Sequence, residues 1–246
     1  MASALTPLVL AAALLAGHAS PQGMAVPAYF SPGSYWPQMD KAHPPLQIVV
    51  MNPANGPGAK RNPSYAAAVH AAESAGVTVL GYVYTQYAKR SLPAVEADVD
   101  AYYRWYHVGG IFFDQATTSC THEPYYASLN TFVKAEDGPA KTVLNPGTRT
   151  RRCYAKAADI LLTFEGSYSS YVSSYSQPKW VSGYPASRFW HVIHATPDTA
   201  ALVRAIALSE QRHAGYVYAT PLDLPNPYRA LPGGSFWSAE LSDLSR

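Results

Sequence analysis

Charged residues are scarce. Asp, Glu, Lys and Arg make up 14% of the 246 residues, and the net charge is only +2. Proteins that grip nucleic acid or anionic membranes carry basic patches, so this balance argues against both partners. Cysteine is scarcer, with two residues, which excludes a four-cysteine metal cluster and a disulfide-dense small fold. Long apolar runs are also missing. The one near the N-terminus, Leu8–Ala16, is too short to span a bilayer. No His, Cys, Asp or Glu set has metal-ligand spacing. His191 and His194 stand three apart on a predicted strand, so they face opposite ways, and His122-Glu123 has no partner. A zinc-dependent sugar deacetylase is therefore disfavoured, and no cofactor is expected. Gly166-Ser167 lacks the G-x-S-x-G elbow of serine hydrolases, and Gly56-Pro57-Gly58-Ala59-Lys60 is not a phosphate-binding loop.

What is present begins with a secretory pattern. The Leu8–Ala16 run is followed by Gly17-His18-Ala19, a small-x-small cleavage site, which predicts a signal peptide over 1–20 and one domain over 21–246. One feature departs from that pattern: no Lys or Arg precedes the run, and the first charge is Asp40. In an oxidising compartment Cys120 and Cys153, each in a loop a few residues past a predicted strand, are expected to be bonded; the alternative is two free thiols.

The most informative stretch is Gly109-Gly110-Ile111-Phe112-Phe113-Asp114-Gln115. Three successive large apolar residues suit a strand buried on both faces, and a carboxylate at its end is expensive to desolvate unless it is used. Similar runs occur at 26–30, 46–51, 78–84, 142–147, 160–165, 189–194 and 215–220. Helical spacing lies between several of them, over 63–75, 93–106, 122–136 and 198–212. Eight apolar runs with crossover-length connections predict a single (β/α)8 barrel of the TIM type, for which the length is typical. No linker or low-complexity tract marks a second domain.

In such barrels the chemistry sits where strands end. The strand ends here carry Asn52, Tyr84, Asp114, Asn145, Glu165, His194 and Tyr218. Asp114 and Glu165 are the only carboxylates among them, and two carboxylates facing one cavity are the minimum for glycoside hydrolysis. Their strands are two apart, about 9–10 Å at the backbone, so the sequence leaves retention and inversion both open. The competing role for each acid is a salt bridge to a loop residue such as Arg149 or Arg151. Tyr29 and Trp36, on the first strand and the turn-rich loop 31–37, are expected to line the groove with the polar strand-end residues and Gln115. Tyrosine suits such a groove because it offers a flat apolar face with a polar tip, and the chain holds 19 tyrosines.

Asn52-Pro53 with Gly56-Pro57-Gly58, Gly81–Thr85 with Tyr87 and Arg90, Gly110–Asp114, Asn145-Pro146-Gly147 and Phe164-Glu165-Gly166 occur in the order of the spherulin-4 family, which the chain resembles over about 26–220. The resemblance implies a secreted barrel glycoside hydrolase acting on a galactosamine-containing exopolysaccharide, an α-1,4-linked N-acetylgalactosamine polymer, with Asp114 and Glu165 as the matching acids. One position departs from it. Gln115 stands where that family is expected to follow its Asp with Glu, and Gln neither transfers a proton nor attacks an anomeric carbon. Two readings follow: an endo-glycosidase, or a carbohydrate-binding, wall-associated relative that has lost turnover. Within the first, Asp114 is expected as nucleophile or stabiliser. Glu165 is expected as general acid, because the preceding Phe164 could raise its pKa. A monomer with a polysaccharide as its partner is expected.

Overall fold

In the computed structural model, which describes residues 22–245, eight parallel strands close a barrel in sequence order. The strands are β1 (Gly23–Ala28), β2 (Leu46–Met51), β3 (Thr78–Tyr84), β4 (Gly110–Asp114), β5 (Lys141–Leu144), β6 (Ile160–Ser167), β7 (Phe189–His194) and β8 (Tyr216–Ala219). The helices around them are α1 (Trp36–Asp40), α2 (Pro63–Ser74), α3 (Leu92–Tyr106), α4 (Glu123–Glu136), α5 (Tyr168–Ser173), α6 (Thr199–Gln211) and α7 (Gly234–Leu244). The (β/α)8 expectation is met. The proposed signal peptide lies outside the described residues.

Local chemistry accounts for the element boundaries. Pro stands at the start of α2, α3 and α4, where a missing N–H costs nothing. Asn62 and Asp198 cap α2 and α6 through their side chains. Glycine is required at two close approaches. A Cβ on Gly81 would strike the Tyr102 ring at 2.5 Å, and one on Gly110 would strike the Lys141 backbone oxygen at 2.0 Å. These glycines let α3 lie against β3 and β4 lie against β5.

The barrel interior is filled by rings. Tyr82 stacks on Phe112, and Phe112 meets Trp190 edge to face at 5.6 Å. His191, one residue on from Trp190, points outward as alternation requires. There it meets the Tyr171 hydroxyl at 2.8 Å and Thr163 at 3.0 Å, and burial pushes its pKa down to about 3, so it is a neutral packing residue.

Trp36 is not on an open loop. It begins α1, is 2% exposed and meets Tyr65 of α2 edge to face. The sequence 31–37 is rich in turn-forming residues, but a hydrophobic face at Trp36 and Met39 turned it into a short packed helix. Cys120 and Cys153 are bonded, with Cα atoms 5.9 Å apart, and tie the segment before α4 to the 3₁₀ turn after β5.

One seam of the barrel is short. β1 pairs with β8 only at Gly23 and Met24, whereas its pairing with β2 continues to Ala28. Beyond Met24 other groups fill the gap. The buried Glu240 of α7 accepts the Ala219 N–H, and the Tyr29 N–H donates to the Tyr228 carbonyl.

Candidate active site

Asp114 ends β4 and Glu165 lies near the end of β6, both at the C-terminal rim. Simple alternation would not aim both acids at the axis. On β6, Leu162 pairs with the inward Trp190, yet Phe164 pairs with the outward His191, so Thr163 is an extra residue in the strand. This bulge reverses the alternation and turns Glu165 inward. Phe164 consequently faces out, packed on Tyr171 and Tyr175.

Asn145, at the end of β5, sits between the two acids. Its Nδ2 donates to Asp114 Oδ1 at 2.9 Å and to Glu165 Oε2 at 2.6 Å, while its Oδ1 accepts the Gly147 N–H at 2.8 Å. The two carboxylate oxygens are therefore no farther apart than these two bonds laid end to end, about 5.5 Å. The outer oxygens have tyrosine donors. Tyr82 OH donates to Asp114 Oδ2 at 2.7 Å, and Tyr228 OH donates to Glu165 Oε1 at 2.6 Å. Tyr29 stands between those tyrosines, edge-on to each at 5.4 and 5.5 Å.

Every carboxylate oxygen thus has a neutral donor, and among the described residues neither acid is in an ion pair. The expected competitor role, a salt bridge to Arg149 or Arg151, does not occur. Without a neighbouring cation, burial and then the Glu165 charge raise the Asp114 pKa to about 6, although Tyr82, the Gln115 N–H and Asn145 pull it down. Phe164, expected to stand against the Glu165 carboxyl, has its ring on the other side of the strand, packed on Tyr171 and Tyr175.

A cavity of about 390 Å³ opens beside Glu165, lined by Tyr29, Asn52, Tyr82, Glu165, His194 and the loop 224–228. Asp114 and Asn145 lie behind its Tyr82 and Glu165 walls, hydrogen-bonded to them, rather than on its surface. Asn52 is further held by the Gly56 N–H, and His194 Nδ1 lies 3.0 Å from Asp223. Other expected groove residues are placed differently. Tyr218 is fully buried beneath Tyr228, and Trp36 is in the α1 core. Tyr84 lies under the Arg90 guanidinium, 4.3 Å from its ring centre. Asn145 is 4% exposed and has spent both amide hydrogens on the acids, so it orients them. Gln115 lies past the strand in a left-handed conformation, φ 50°, so strand alternation no longer governs it. Tyr82 and Tyr228 were not foreseen. Tyr82 could have been found by counting two residues back from Tyr84 along an inward face. Tyr228 gives no local signal, because it reaches Glu165 from a Pro-rich segment 63 residues away. No group of His, Cys, Asp or Glu among the described residues could hold a metal.

The model of the spherulation-specific family 4 matches residues 23–243. Spherulin-4 of Physarum polycephalum is 30% identical over 178 residues, 71% of this chain and 53% of that protein, so the chain spans about half the length of this curated relative. Among solved structures, Aspergillus clavatus Sph3 in complex with GalNAc is similar with a TM-score of 0.80 at 26% identity, covering 92% of this chain and 98% of that one. A chitinase from Chromobacterium violaceum shares the fold, with a TM-score of 0.57 at 14% identity over 91% of this chain and 100% of that one.

Proposed function

The chain belongs to the spherulation-specific family 4, and from that premise we propose that it is a secreted, monomeric glycoside hydrolase that cleaves an amino-sugar polysaccharide internally. The favoured substrate unit is α-1,4-linked N-acetylgalactosamine. The GalNAc held by the similar Sph3 structure supports this choice. One observation carries the mechanism: a single amide nitrogen, that of Asn145, bonds both Asp114 and Glu165. Carboxyls this close leave no room for the water that an inverting enzyme holds between its general base and the sugar, and the spacing fits retention, for which about 5–5.5 Å is usual.

In this reading Glu165 is the nucleophile and Asp114 the acid and base. Glu165 attacks the anomeric carbon while Asp114, whose proton is held by the adjacent negative charge, protonates the leaving oxygen. The covalent glycosyl-enzyme neutralises Glu165, which lowers the Asp114 proton affinity just when a base is needed to activate water. Tyr228 and Asn145 hold the Glu165 oxygens so that one lone pair is aimed at the sugar. No cofactor takes part.

The test is a reducing-end assay on partly deacetylated α-1,4-N-acetylgalactosamine polymer, with a binding assay on the same material and proton NMR of the first product anomer. Cleavage with an α-anomer as first product supports the retaining reading, and a β-anomer contradicts it. Binding without cleavage identifies a wall-associated carbohydrate-binding protein, in which Gln115 in place of an acid has removed turnover.

A further inference from the structure

Three successive non-glycine residues in the loop after β3 are left-handed: Gln86 (φ 51°), Tyr87 (φ 57°) and Ala88 (φ 64°). Each is disfavoured for an L-residue, and left-handed residues normally occur singly. Gln115, on the neighbouring strand end, is left-handed as well. The two segments are tied together. The Gln115 carbonyl accepts the Tyr87 N–H at 2.7 Å and the Thr85 hydroxyl at 2.9 Å, and the Asp114 carbonyl accepts the Thr85 N–H at 2.9 Å. The Tyr126 hydroxyl completes the clamp through Thr85 at 3.0 Å. Backbone held in such conformations by its surroundings is concentrated at ligand-binding sites.

What the clamp presents is an aromatic ring in water. Three large apolar side chains are exposed among the described residues, and two of them, Tyr87 at 53% and Leu224 at 70%, lie on the rim that carries the acids. Leu224 belongs to the cavity wall that delivers Tyr228 to Glu165. Tyr87 stands on the opposite flank, hydrogen-bonded through its backbone to the residue after Asp114.

We propose that Tyr87 and Gln115 form a sugar-binding platform on the Asp114 flank of the catalytic pair, where one neutral pyranose of a polysaccharide lies on the Tyr87 ring and hydrogen-bonds the Gln115 amide. This rests on the polysaccharide-hydrolase reading of the rim. The platform gives Gln115 a task that an acid would perform less well. An uncharged amide next to a ring binds hydroxyl or acetamido groups without placing another negative charge beside Asp114 and Glu165.

The experiment uses the full chain with Glu165→Gln, which is expected to bind without cleaving, and an N-acetylgalactosamine oligomer of at least six units as probe. Adding Tyr87→Ala is expected to weaken calorimetric binding about tenfold, Tyr87→Phe to leave it nearly unchanged, and Gln115→Ala to weaken it several-fold. The melting temperature should stay constant in the Tyr87 variants, because the side chain is exposed. Unchanged affinity in Tyr87→Ala, while the parent binds and wild type cleaves polymer, overturns the platform alone. Failure of the parent to bind, together with no cleavage by wild type, overturns the polysaccharide reading and the platform with it.

Discussion

Asp114 is a carboxyl kept partly protonated by its surroundings. Its pKa is raised to about 6 by burial and then by the Glu165 charge, so at pH 7 the folded state bears the cost of an ion it would rather neutralise. With the folded value above the unfolded one, this group's contribution to stability is fully present below about pH 4 and falls as pH rises toward 6. Asp114→Asn should therefore hold or raise the melting temperature at pH 7 while abolishing cleavage; a clear fall in melting temperature contradicts the assignment. For wild type, turnover should decline above about pH 6 as the proton leaves Asp114. In Glu165→Gln the Asp114 carboxyl, followed by carbon NMR, should titrate at lower pH because one cause of the shift is gone. Asn145→Ala leaves two buried carboxylate oxygens without their donor, at about 1–3 kcal/mol. It should lower kcat at least tenfold, roughly 1.4 kcal/mol in barrier, with KM moving little, because Asn145 has no hydrogen left for a sugar. A change confined to KM would instead make Asn145 a substrate contact.

Two elements aim the site, and they differ in how readable they were. The apolar runs 46–51, 78–84 and 189–194 are strands end to end as the sequence predicts, because turn residues bracket uninterrupted hydrophobic stretches. The bulge at Thr163 has no such signature, since Ile160–Phe164 reads as one continuous run whichever way Glu165 points. The short helices α1 and α5 and the last helix α7 were also invisible. Gly233-Gly234 opens α7 with no side-chain cap, and its strength comes from packing Phe236 and Trp237 into the core. That helix also delivers Glu240 to the open β1–β8 seam, where burial raises its pKa to about 8. A carboxyl whose folded pKa lies above its unfolded value of about 4.5 weakens the fold progressively between those two pH values, by roughly 3 kcal/mol at pH 7. Glu240→Gln keeps an acceptor for the Ala219 N–H and removes the charge. Its melting temperature should exceed that of wild type at pH 7–8 and match it near pH 4; equal pH profiles would show that the seam tolerates an ion.

At the scale of the molecule, the barrel and its functional rim were legible because strand ends are local in sequence. Asp114, Asn145 and Glu165 each close an apolar run, and the structure brings all three within hydrogen-bond reach. What was not legible is what arrives from far along the chain: Tyr228 on Glu165, and Trp36 drawn into the core by Tyr65. The disulfide is the other long-range constraint. It joins cysteines 33 residues apart, and closing a loop of that length stabilises by about 4 kcal/mol on the chain-entropy model. Cys120→Ser with Cys153→Ser should lower the urea midpoint accordingly while the product anomer stays the same, since neither sulfur touches the acids. The central claim is that Asp114 and Glu165 cut a glycosidic bond, and the most direct measurement is reducing-end release from α-1,4-N-acetylgalactosamine polymer by wild type, Asp114→Asn and Glu165→Gln at equal concentration. The account predicts release by wild type alone, with all three proteins still binding the polymer. Equal release by either variant, or binding without release by wild type, contradicts it.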